Sequence, residues 1–104
     1  MMNIKIHQIN KDKDTNRVIF MNHKLTTKYQ GSDKIDRSIY DEVFSGTVDC
    51  RNLEDVFMVF NCCQPEGYKG RCLSVSDVVE IIKSDVEEPG FYFCDSFEFK
   101  RIEF

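Results

Sequence analysis

Between Gly70 and Phe99 the chain reads GRCLSVSDVVEIIKSDVEEPGFYFCDSFEF, two β-prone runs on either side of a polar turn that holds Pro89 and Gly90. Val78 to Lys83 (VVEIIK) and Phe91 to Cys94 (FYFC) are dense in β-branched and aromatic side chains, which suit a pleated, half-buried surface. Two such runs around a Pro-Gly turn predict an antiparallel hairpin. Each run is tied to serine and aspartate, with Ser74, Ser76 and Asp77 before the first and Asp95 and Ser96 after the second. Side chains of this kind bond nearby backbone N–H groups, so they are read as shaping strand ends. Cys72 to Val75 is expected to start a strand that the Ser74–Asp77 stretch bends. Phe97, Phe99, Ile102 and Phe104 are expected to continue the second run with period two.

The rest of the chain is read against that sheet. Ile4 and Ile6 alternate with Lys5 and His7, which predicts a half-buried strand over Met2–Ile9. Asn10 to Asn16 reads as an exposed turn, Arg17 to Phe20 as a second short strand, and Asn22 to Tyr29 as a short helix capped by Asn22. Gln30 to Asp33 is read as a loop. Arg37 to Val48 places apolar groups on both faces with acids between them and predicts a strand ended by Gly46. Asn52 is the expected cap of a helix over Leu53–Cys62, with Glu54 and Asp55 in the first turn, where the helix dipole favours anions. Leu53, Val56, Phe57 and Phe60 fall at i, i+3, i+4 and i+7, so the Phe57 and Phe60 face is expected to pack on the sheet, and Pro65 closes the helix. Gln64 to Arg71 is a loop. Of 104 residues none is alanine, which weighs against an all-helical fold. The expected architecture is α+β: one domain over residues 1–104, with an antiparallel sheet of four to six strands and one or two short helices on a face.

Charge excludes some function classes. The formal net charge is −4, and the densest basic spot, Lys11 to Lys13, is diluted by Asp12 and Asp14. A nucleic-acid binder shows a basic face, so no direct nucleic-acid binding is expected. Eighteen acids against fourteen bases also fall short of the charge density that would mimic a duplex. No apolar run approaches the roughly 20 residues that a membrane span needs, and MMNIKIHQIN has no apolar signal-peptide core. The five cysteines, Cys50, Cys62, Cys63, Cys72 and Cys94, are read as reduced thiols, and the expected compartment is the cytoplasm.

Chemistry-bearing constellations are weak. The cysteines have no CxxC spacing, and adjacent thiols at 62 and 63 cannot easily address one zinc ion, so small buried hydrophobes are the better reading. No histidine lies in a motif with a cysteine, and Asp95 beside Cys94 opposes a thiolate. Asp77 and Asp95 could approach across the hairpin as an acid–base or metal-binding pair, yet strand-end bonding accounts for both. Gly67 and Gly70 do not form a phosphate loop. No catalytic, cofactor-binding or metal-ligating residue is assigned.

NLEDVFMVFN, YKGRCLSVSDVVEI and FYFCDSFEFKRI together resemble the YodL-like domain family. The residues that carry the likeness are Gly70, Leu73, Ser74, Val75, Ser76, Asp77, Val78 and Val79, then Tyr92, Asp95, Ser96, Phe97 and Phe99. Tyr40, Val43, Phe44 and Gly46 in SIYDEVFSGTV match a further family strand, and Glu98 stands where the family often has glycine. The resemblance implies a small protein of Gram-positive bacteria, phages and conjugative elements, with no established catalytic residues. It implies a non-enzymatic interaction protein that binds and inhibits a bacterial host or defence protein, such as a restriction or CRISPR effector nuclease. The expected contact groups are Tyr68, Tyr92 and Phe104 with acidic neighbours Glu87 and Glu88. Two alternatives stand beside this: a metal-dependent small hydrolase or nuclease using Asp77 and Asp95, and an accessory scaffold that dimerises through an edge strand at either terminus.

Overall fold

The period-two pattern of the first residues becomes strand β1 (Met2–Ile9). A computed structural model of the protein describes residues 1–62, 64–65 and 68–104, and in it β1 lies inside a five-stranded sheet. The other strands are β2 (Tyr40–Val48), β3 (Val78–Ser84), β4 (Gly90–Cys94) and β5 (Phe99–Ile102). The order is β2-β1-β3-β4-β5, with every neighbouring pair antiparallel. The β3–β4 hairpin forms where its sequence predicts, each strand one residue longer on the turn side than the runs Val78–Lys83 and Phe91–Cys94. Because β1 is interior, the strand edges belong to β2 and β5; strand addition through the N-terminal strand is therefore closed off.

Alternation along the strands sorts the core into two faces. Met2, Ile4, Ile6, Val79 and Ile81 share one face with Leu53, Val56 and Phe60 of helix α2 (Leu53–Cys62). Ile9, Val78 and Phe93 share the other with Val18, Ile35, Ile39 and Tyr40. Helix α1 (His23–Gln30) lies on this second side, where the His23 ring meets Phe93 edge-on at 5.4 Å between centroids. Burying each large apolar side chain contributes about 1.5–3 kcal/mol, so both faces are needed to hold a chain of this size.

Both helix starts follow from their caps. The Asn22 side chain accepts from the Leu25 amide at 2.9 Å, and Gly31, at φ +71°, closes α1 by donating to the Thr27 carbonyl. Threonine is a poor helix former, yet fully buried Thr26 donates its hydroxyl to the Met21 carbonyl, a tertiary use that outweighs propensity. Asn52 accepts from the Asp55 amide at 2.9 Å, and Asp55 in turn accepts from the Arg51 amide at 3.0 Å.

Several expectations are corrected. Arg17 to Phe20 forms no strand: the Asp14 carboxylate accepts from the Val18 and Ile19 amides, and Arg17 and Phe20 sit at φ +54° and +66°. Arg37–Ile39 is a single 3-10 turn capped by Asp36, and β2 begins at Tyr40. Gly46 does not end that strand, because it pairs with Ile4 within it. Cys72 to Val75 stays outside the sheet, since the Asp77 amide turns back to the Ser74 carbonyl. The second run does not continue past Cys94: the Asp95 amide donates to the Glu98 carbonyl, the chain reverses, and β5 returns against β4. On α2 the buried stripe is Leu53, Val56 and Phe60, whereas Phe57 is 39% exposed. Cys50 and Cys94 are buried as expected, but Cys62 and Cys72 are exposed, and Cys63 lies outside the described residues.

Candidate functional site

The two serines and the one aspartate of the LSVSDVV stretch build a buried polar joint. Asp77 is fully buried, and its Oδ2 accepts from the Ser74 amide at 2.8 Å and from Gln8 Nε2 on β1 at 3.0 Å. Arg71 Nη2 stands 3.5 Å from Oδ1. Gln8 closes the ring, accepting from the Arg71 amide at 3.1 Å and donating to the Arg71 carbonyl. Burial pushes Asp77 up to about 7, although the Ser74 amide, the Arg71 guanidinium and the Gln8 amide all favour its charged form. Gly70 fits because a Cβ there would lie 2.5 Å from Gln8 Oε1 and 2.6 Å from the Tyr68 hydroxyl oxygen.

Ser76 is the second anchor. It is fully buried at φ +83°, a left-handed conformation that costs a non-glycine residue energy unless its surroundings impose it. Three bonds impose it here: its amide donates to the Cys94 carbonyl, its hydroxyl accepts from the Phe20 amide, and its carbonyl accepts from the Tyr40 hydroxyl at 2.6 Å. Asp95 Oδ1 accepts from the Ser96 amide and from the His23 amide at the head of α1. Asp77 and Asp95 are thus engaged by different backbones and do different work. Their backbones are close, since the Cys94 amide donates to the Asp77 carbonyl, but the Asp77 carboxylate is sealed from solvent. Burial, with Asp77 and Asp95 nearby, pushes the Cys94 thiol up to about 12.

Directly beyond this joint the molecule is open. A cleft of about 420 Å³ lies between the outer side of α2, the Leu73–Val75 segment and the Cys94–Phe99 turn. Phe57 and Phe99 form its walls, their rings edge-to-face at 6.5 Å, and Leu73 lies at its base, almost wholly buried. Phe97, at the tip of the turn, is fully exposed (101%) beside it. Glu54, Asp95 and Glu98 line the same cleft, and among the described residues no basic one does.

The expected contact groups fare differently. The Tyr68 ring packs on Phe44 and Phe60, and its hydroxyl bonds Gln8 and the Arg71 carbonyl. Tyr92 is half-buried and donates to the Glu88 carbonyl. Phe104 packs against Tyr40, His7 and Phe91. Glu88 pairs with Arg101 at 2.7 Å, and Glu87 is half-buried. The aromatic groups that the fold leaves most exposed are Phe97, Tyr29, Phe20 and Phe57, and of these Phe57 and Phe97 lie at the cleft. Phe97 was hidden in the sequence by a period-two pattern that the Asp95–Glu98 reversal interrupts.

Among the described residues, no group of three or more His, Cys, Asp or Glu is placed to hold a metal ion. Among the same residues no helix is long and apolar enough to cross a membrane. The sequence profile of the YodL-like domain matches residues 3–104. The chain belongs to the YodL-like domain family. No match to it was found among curated proteins or among solved structures. In this YodL-like domain, the motif residues Ser76, Asp77 and Asp95 tie β1, the segment before α1 and the head of α1 to the central hairpin, Gly70 leaves room for Gln8 and Tyr68, and Leu73, Ser74 and Ser96 line the cleft.

Proposed function

We propose that this YodL-like domain is a non-enzymatic interaction protein that binds a bacterial host or defence protein and inhibits it by covering part of its surface. One observation carries the reading: a concave apolar cleft with a fully exposed phenylalanine at its edge, beside a buried, hydrogen-bonded polar joint. Aromatic anchors in a desolvated pocket with a polar rim are how compact interfaces obtain most of their energy. The polar groups that could do chemistry support the same reading. Asp77 has the perturbed pKa expected of a catalytic carboxyl, but it is fully buried and already bonded on both oxygens.

The inhibitory role and the choice of a host or defence protein, CRISPR effectors included, rest on the setting in which such domains are found. The test is capture of the tagged protein from a bacterial host, with quantitative mass spectrometry of wild type against Phe97→Asp. The expected result is one protein enriched with wild type and lost with the variant, whose activity falls when the purified domain is added. Equal recovery by both proteins, or a captured protein whose activity is untouched, contradicts the reading.

A further inference from the structure

The walls of the Phe57–Phe97 cleft are apolar, yet its charged residues are of one sign. Glu54, Asp95 and Glu98 surround Phe57, Phe97 and Phe99, and among the described residues no lysine, arginine or histidine lines the cleft, the nearest base being Lys24 in a neighbouring hollow that shares Asp95, Phe97 and Glu98. Glu54 and Glu98 are exposed and have no ion pair among the described residues. Asp95 spends one oxygen on the His23 and Ser96 amides. From this we infer that the cleft takes a segment of another protein presenting an aromatic or large aliphatic side chain flanked by lysine or arginine. This deepens the docking role proposed above and rests on it.

Charge decides the occupant. An apolar side chain entering the cleft brings its flanking residues over the three carboxylates, where basic groups are attracted and acidic ones repelled. A second copy of this chain is disfavoured by the same argument. Two clefts brought face to face by a two-fold axis would set three carboxylates against three more, and such an interface is necessarily self-facing. The net charge of −4 also draws a basic partner toward the molecule before contact, while the apolar walls hold it afterwards.

The probe is a displayed library of random linear peptides selected on the purified full chain, in parallel with Phe97→Asp and with the double variant Glu54→Lys and Glu98→Lys. Circular dichroism and thermal melts confirm that each variant keeps the fold, which is expected because all three positions are exposed. The expected winners share a phenylalanine, leucine or similar anchor next to two or more basic residues. They bind the Phe97→Asp variant at least ten-fold more weakly, and the double variant selects acidic flanks instead. Winners that need Phe97 but carry neutral or acidic flanks overturn this inference and leave the docking role standing. A selection that yields no peptide dependent on Phe97 overturns both.

Discussion

Ser76 and Asp77 show most clearly what single residues do here. Asp77 titrates near 3.8 in an unfolded chain and about 7 in the fold, because burial opposes its charge. Between those values the native state keeps a proton that the unfolded state has released. Stability therefore falls as pH rises through this window, by about 1.4 kcal/mol per pH unit from this group alone. Urea denaturation in steps from about pH 5 to pH 7 should show Asp77→Asn gaining stability relative to wild type as pH rises, a comparison that separates Asp77 from His7 and His23, whose burial lowers their pKa and so raises stability with pH. Asp41 works in the opposite sense: the Lys13 ammonium and then the Asn10 amide hold its carboxyl below the usual range, so its contribution is lost as pH falls further. Ser76→Ala removes the acceptor of the part-buried Phe20 amide and should cost about 1–3 kcal/mol in the same denaturation experiment. Gly70→Ala should also destabilise, since its Cβ would meet Gln8 and Tyr68 at 2.5–2.8 Å, and the effect reads out as a lowered melting temperature.

At the scale of elements, α2 separates packing from binding within one turn. Phe60 is fully buried against Phe44 and Tyr68, so Phe60→Ala should cost about 3–5 kcal/mol. Phe57 is half open on the cleft side, so Phe57→Ala should cost much less stability while weakening partner binding. Thermal melts of the two variants check the pair. Both phenylalanines fit one helical stripe, which is why the sequence could not tell them apart. Their difference depends on how far α2 reaches over the sheet. The same limit explains the other gaps between sequence and fold. β1, α2 and β3 were legible because local period, cap residues and β-branched runs all agreed. Arg17–Phe20 looked like a strand by composition, but two amide bonds to the Asp14 carboxylate and two positive φ values fold it into a plug. The motif's polar residues were legible as strand-end groups. Their partners, 56 to 72 residues away in Gln8, Phe20 and His23, were not, because no local pattern records them.

Across the whole molecule, the polar joint and the cleft lie back to back. The joint fixes β1, α1 and the central hairpin to one another and thereby sets the position of the Asp95–Glu98 turn that carries Phe97. A site presented on a rigid support loses little conformational entropy on binding, which favours affinity from a small contact. The acidic surface should make association weaken with salt: raising ionic strength from about 0.05 M to 0.5 M shortens the Debye length several-fold and should slow the on-rate of a basic partner more than it speeds dissociation. The most direct test of the central claim is amide hydrogen exchange on the domain, free and bound to the protein captured with it. New protection is expected over residues 53–60 and 94–99, with the β2 edge unchanged. Protection confined to β2, or spread evenly without reaching Phe57 and Phe97, would contradict it.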